Sequence, residues 1–163
     1  MIRGAVLGSP IGHSLSPLMH RSVFEFLGVE SSYSAIEVQS GNLQSFFQST
    51  HKDFDYFSLT MPLKEEVLAL GFDMSKVAAK SQSANTLYRN ADAWSLTSTD
   101  GTGFLSAIGH AGIGAMDKVL ILGAGGTARA VAASLDGIVS EIVINGRSLS
   151  RKESFDSIVT TSH

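Results

Sequence analysis

The chain has 163 residues, 44% hydrophobic and 17% charged, with a formal net charge of −3 and no cysteine. This composition describes a folded, apolar chain and excludes a disordered one. The weak negative charge gives no reason to expect a nucleic acid or a membrane surface as partner, and the lack of cysteine excludes disulfides and thiolate metal sites.

The length suits one good core, or one small domain plus a piece of another. No apolar run approaches the ~18 residues of a membrane span. The opening MIRGAVLGSP reads as a strand and not as a signal peptide, so the cytoplasm is the expected compartment. Ile2 to Leu7 form that first buried strand, broken by Gly-Ser-Pro. Leu15, Met19, Val23 and Leu27 then mark one face of a helix that Gly28 caps. Tyr33 to Val38 predict a second strand, Leu43 to Phe47 a short helix, and Tyr56 to Thr60 a third strand ended by Pro62. A helix over Glu65 to Leu70 stops at Gly71, and Val77 to Lys80 give one more turn. The strand-like NTLYR and WSLTS flank Asn90-Ala91-Asp92, which predicts an antiparallel hairpin on an otherwise parallel sheet.

A helix over Gly103 to Ala111 leads into glycine-rich GHAGIGAM, and a domain boundary falls near Gly101 to Gly114. Lys118 to Leu122 then read as a buried strand, Gly123, Gly125 and Gly126 as a tight turn, and Thr127 to Leu135 as an alanine-rich helix. Strand, glycine turn and helix in that order receive a dinucleotide pyrophosphate, because glycines admit the phosphates to backbone N–H groups at a helix N-terminus. The same residues also make a plain strand–turn–helix with small residues for packing. Glu141 to Asn145 give the next strand and Ser148 to Val159 a helix of poor periodicity. A doubly wound domain needs about five or six strands, and here two are present.

An acid about 20 residues beyond the glycine turn would bind a ribose 2′-hydroxyl and mark NAD. This chain has Asn145-Gly146-Arg147-Ser148 with Arg151 nearby. Guanidinium groups pair with a 2′-phosphate, which favours NADP; the alternative is two solvated arginines at a helix start. Upstream, Ser14 and Ser16 lie between Pro10 and Pro17, either as ligand-binding hydroxyls or as helix caps. Thr60 and Lys64 sit at a strand end and helix start, where a lysine opposes the helix dipole. Asn85 opens a strand, and Asp100 ends one with glycines beyond it. Ligands of open α/β sheets bind beyond the carboxyl ends of strands. Hydroxyls and amides beside one lysine and one aspartate suit a polyhydroxy carboxylate. His13, His20, His51, His110 and His163 show no metal-ligand spacing, and no metal is expected.

The succession SPIGHSLSP, SLTMPLKE, SANTL, STDGTGF, LGAGGTARA and NGRS resembles the shikimate dehydrogenase family over essentially the whole chain. The resemblance implies an α/β protein. A substrate domain on a mixed, mainly parallel sheet (1–103) would precede a partial Rossmann-type NADP domain (104–163). It implies NADP-dependent reduction of 3-dehydroshikimate to shikimate. Ser14 and Ser16 would hold the substrate carboxylate, and Thr60, Asn85 and Asp100 its ring hydroxyls. Lys64 and Asp100 would be the catalytic pair. Gly123, Ala124, Gly125, Gly126 and Thr127 would carry the pyrophosphate, with Arg147, Ser148 and Arg151 at the 2′-phosphate. Alternatives are a quinate/shikimate relative, or a shikimate-binding module without turnover. A homodimer is left open.

The chain departs from the family at several positions. Ser58 and Ser98 stand where asparagine is usual. Ser81-Gln82-Ser83-Ala84 precede Asn85 in place of a Gly-Ala-x pattern, and Gly146-Arg147 stand for Asn-Arg. The family's further C-terminal half is absent, which implies a C-terminally truncated chain with an exposed apolar edge around Val143 and Ile144.

Overall fold

The computed structural model describes residues 1–160. Two compact units divide them: residues 1–73 with 84–96, and residues 74–83 with 97 onward. The sequence boundary at 103/104 therefore lies inside the second unit, which also takes the earlier segment 74–83.

In the first unit the chain runs β1 (Ile2–Gly8), α1 (Ser16–Phe26), β2 (Ser31–Glu37), α2 (Leu43–Thr50), β3 (Tyr56–Leu59) and α3 (Leu63–Glu66). It reaches β4 (Asp73–Met74), and after α4 (Lys76–Ser81) returns as β5 (Thr86–Asn90) and β6 (Ala93–Thr97). The sheet order is β2-β1-β3-β5-β6-β4. β2 and β3 lie parallel on either side of β1, and β5 lies antiparallel to β3. The two-residue link Ala91-Asp92 makes β5 and β6 the expected hairpin, with Ala91 at φ +52°. β1 lies between β2 and β3 and is buried from Gly4 to Gly8.

Gly4 is a glycine because two tyrosine rings cross it. A Cβ there would lie 2.5 Å from the Tyr56 ring and 2.8 Å from Tyr33. On that side His20 stacks on Tyr33, with centroids 4.0 Å apart and planes 4° from parallel, and its Nδ1 shares a 2.8 Å hydrogen bond with the Tyr56 hydroxyl. Burial lowers the His20 pKa below its ordinary value and raises that of Tyr56 above its own. On the other side Phe57, fully buried, packs among Phe46, Phe47, Phe54 and Trp94.

α1 ends at a left-handed Gly28 (φ +65°), as the sequence predicts, but with a different face inward. Ser16, Pro17, His20 and Phe24 are the half-buried residues, while Leu15, Met19, Val23 and Leu27 are all more than half exposed. A one-residue step turns a helix by about 100°. The imidazole, stacked on Tyr33 and hydrogen-bonded to Tyr56, sets that rotation against the apolar stripe.

The second unit contains α4, α5 (Asp100–His110), β7 (Lys118–Leu122), α6 (Gly126–Leu135), β8 (Glu141–Asn145) and α7 (Leu149–Glu153). β7 and β8 pair in parallel from Lys118↔Glu141 to Leu122↔Asn145, and α6 crosses between them. Ala132, Leu135, Ile142 and Phe155 are fully buried at the centre.

Four expectations change here. α5 begins at Asp100 and not at Gly103, because Thr99 already has helical dihedrals and Asp100 suits a first helical turn. β7 is not a buried strand: Val119 and Ile121 face the core, while Leu120 and Leu122 are exposed, since a two-stranded sheet here is covered on one face. Ile144 is buried in the same core, and the exposed β8 apolar residue is Val143. The helix expected over 148–159 stops at Glu153, and turns then bring Phe155, Ile158 and Val159 into the core. No helix among the described residues is long and apolar enough to cross a membrane.

Candidate functional site

Backbone hydrogen bonds gather three of the polar candidates at one end of the first unit's sheet. The Thr60 N–H donates to the Leu7 carbonyl at the end of β1 (2.9 Å), and the Leu59 N–H to the carbonyl of Asn85 (2.7 Å). The Ala84 N–H donates to the carbonyl of Lys64 (2.8 Å), and the Leu63 N–H to that of Thr60 (2.8 Å). Thr60, Lys64 and Asn85 are thus tied to the carboxyl ends of the parallel strands β1 and β3. Gly8 permits the crowding: a Cβ there would strike the Thr60 methyl and lie 2.9 Å from the Met61 carbonyl.

The loop bearing Ser14 and Ser16 leaves β1 at the same end. Ser14 Oγ accepts from the Ser16 N–H (3.3 Å), a local turn immediately before α1, whose N-cap is Leu15. The serines therefore flank the cap position without filling it. Ser58, on the strand before Thr60, accepts a 2.7 Å hydrogen bond from the Tyr33 hydroxyl.

The second unit holds Asp100 and the glycine turn. Thr127, in the first turn of α6, donates its hydroxyl to Asp100 Oδ2 (3.1 Å) in the first turn of α5. The two helices approach closely because Gly101 has no side chain. A Cβ there would lie 2.6 Å from the Ala130 carbonyl oxygen and 2.9 Å from Ser134 Cβ. Gly101→Ala is expected to cost about 1–3 kcal/mol by overpacking, read as a lowered midpoint in urea unfolding. An unchanged midpoint would show that the helices separate freely.

The turn fits a dinucleotide pyrophosphate on its own geometry. Gly123 has φ +127°, which an L side chain rarely adopts, and its N–H is held by the Asn145 carbonyl (2.8 Å). Gly125 caps the ten-residue α6, and a Cβ built on it would meet no atom within 4 Å. Backbone N–H groups at this helix start are therefore open to close approach. Arg147 is exposed just past β8. Ser148 Oγ lies 3.0 Å from Ser150 Oγ. Arg151 Nε donates to the Ala124 carbonyl of the turn (3.0 Å), so it also braces the loop.

No sequence pattern singles out Arg129 or Gln82. Arg129 is 6% exposed, lies over the Phe155 ring, and donates to Gln82 Oε1 (3.3 Å) and Ser154 Oγ (2.5 Å). Gln82, at φ +48°, also donates to Ser157 Oγ (2.8 Å). The one cue is a lone arginine in an alanine-rich helix. Ser83 and Ser98 bury hydroxyl oxygens that have no hydrogen-bond partner among the described residues. A cavity of about 450 Å³ lined by Glu37, Asn42 and Ser45 contains none of the candidates.

Residues 6–87 match the family model described as the shikimate dehydrogenase substrate binding domain. The NADP(+) shikimate dehydrogenase of Methanococcoides burtonii is 44% identical over 130 residues, covering 78% of this chain and 48% of that protein. That of Staphylococcus epidermidis is 35% identical over 153 residues, covering 92% and 56%. The crystal structure of the Thermus thermophilus shikimate 5-dehydrogenase in complex with NADP(H) and shikimate superposes with a TM-score of 0.90 at 34% identity, over 100% of this chain and 63% of that one. The chain spans about half the length of the curated relatives it matches.

Proposed function

This chain belongs to the shikimate dehydrogenase family through its substrate-binding domain, and on that premise we propose that it binds shikimate and takes part in the NADP-dependent reduction of 3-dehydroshikimate. The observation that carries the reading is the backbone mesh that holds Thr60, Lys64 and Asn85 together at the strand ends of the first unit. Residues 1–103 are the substrate portion of this reading and residues 104–163 the cofactor portion.

Ser14, just before the eleven-residue α1, and Ser16, its first residue, suit a carboxylate: two hydroxyls donate, and the helix end adds partial positive charge. Thr60 and Asn85 offer a hydroxyl and an amide to ring hydroxyls. Thr86 Oγ1 donates to Asn85 Oδ1 (2.9 Å), which fixes the amide oxygen as an acceptor within the protein. NADP, held at Gly123 to Thr127 with Arg147, Ser148 and Arg151, would supply the hydride. When a carbonyl is reduced, negative charge grows on its oxygen. The Lys64 ammonium stabilises that charge and holds a proton at Nζ to give to it. Asp100 shares the acid–base work, and Thr127 fixes its carboxylate by donating to one oxygen.

The test is NADPH oxidation by the purified chain with 3-dehydroshikimate, alongside thermal unfolding with shikimate. Turnover supports the enzyme reading. A melting point raised by shikimate without turnover supports binding alone. Neither response overturns both.

A further inference from the structure

We propose that the cavity between the end of α2 and the β5–β6 turn is a second ligand site, for a small planar ring carboxylate. The cavity has a volume of about 420 Å³ and is lined by Phe47, His51, Lys52, Arg89, Asp92 and Trp94. That is within the size range of small-molecule sites.

The cavity is remote from the candidates above. Arg89 follows the β3-paired part of β5, and its N–H donates to the Asp55 carbonyl (2.9 Å), just before β3 begins. Thr60 follows the other end of β3. Five residues of extended chain put about 17 Å between them. The ligand bound here is thus a different molecule from the one at Thr60.

The walls define the ligand. Trp94 stacks one face on buried Phe57 (5.6 Å, 21°), and Phe47 meets Trp94 edge-on (5.2 Å, 85°). Two half-buried rings at right angles make a corner in which a flat ring stacks on one and meets the edge of the other. Arg89 Nε donates to the Ala91 carbonyl (3.2 Å), which orients the guanidinium and leaves its two Nη atoms for a bidentate carboxylate. His51 Nδ1 lies 3.0 Å from the Phe47 carbonyl, an acceptor only, so Nδ1 carries the proton and this bond orients the ring. Lys52 and Arg89 against Asp92 leave one net positive charge. That balance matches a singly charged anion better than a phosphate polyanion.

Trp94 is the chain's single tryptophan, so its fluorescence reports on this corner alone. Titration of the whole chain with benzoate is expected to give a saturable change that persists in excess shikimate. The neutral analogue benzyl alcohol is expected to give none. Arg89→Glu and Lys52→Glu, both at exposed positions, are each expected to weaken benzoate by about tenfold or more, the scale of a lost charge-assisted hydrogen bond. A flat titration overturns the proposal. So does an equal response to benzyl alcohol, a response that shikimate abolishes, or one that neither charge reversal alters. The readout needs neither turnover nor shikimate binding, so failure of the proposed function leaves this result separately legible.

Discussion

Lys64→Ala is expected to lower NADPH-dependent reduction of 3-dehydroshikimate by about a thousandfold, the scale of a positioned general acid. Shikimate binding is expected to fall much less. The contrast follows from when charge appears: a bound hydroxyl is neutral, and only a carbonyl being reduced gathers negative charge for an ammonium to stabilise. Geometry supports the residue in particular. The Lys64 carbonyl is fixed by the Ala84 N–H, and the preceding Leu63 is fully buried and hydrogen-bonded to Thr60. The backbone bearing this side chain is therefore held from two sides at the strand ends. Initial rates of NADPH oxidation and shikimate-induced shifts in melting temperature separate the two effects. A variant that keeps its rate removes Lys64 from the chemistry. One that loses rate and binding alike makes it a binding residue only.

Much of this could be read along the chain because local rules and tertiary demands coincide. Glycines 28, 71 and 123 all have positive φ, where the sequence placed two helix ends and the tight turn. β8 has the predicted bounds because the apolar run Ile142-Val143-Ile144 is bracketed by the polar Glu141 and Asn145. The failures are equally physical. The apolar stripe of α1 was legible, but which face turns inward was decided by His20 stacking on Tyr33, thirteen residues away in sequence. Leu120 and Leu122 look like core in an apolar run, yet burial needs a second covering layer that a β7–β8 pair does not have among the described residues. Gln82 breaks the glycine expectation for a left-handed position, and its side chain then bridges Arg129 and Ser157. No periodicity encodes such a bridge. Of the candidate site, the residue types and strand-end positions were readable, while the mesh joining Thr60, Lys64 and Asn85 appears only when β5 returns antiparallel to β3.

The two arginines past β8 are expected to separate on mutation, although the sequence treats them alike. Arg151 spends its Nε on the Ala124 carbonyl inside the glycine turn. Removing it loosens a loop that any dinucleotide pyrophosphate would use, so Arg151→Ala is expected to weaken NADPH and NADH by similar factors. Arg147 is exposed at the strand end, and on the proposed reading its charge would act on what the ribose carries. Arg147→Ala is expected to raise the KM for NADPH by about ten- to a hundredfold, the worth of a charge-assisted hydrogen bond to phosphate, and to leave that for NADH nearly unchanged. Where turnover is too slow to measure KM, quenching titrations with the two nucleotides give the same ratio. Equal losses for both nucleotides in Arg147→Ala would end the assignment of this residue to the 2′-phosphate. A selective loss in Arg151→Ala would transfer the role to Arg151, with the Ala124 contact then yielding to the ligand.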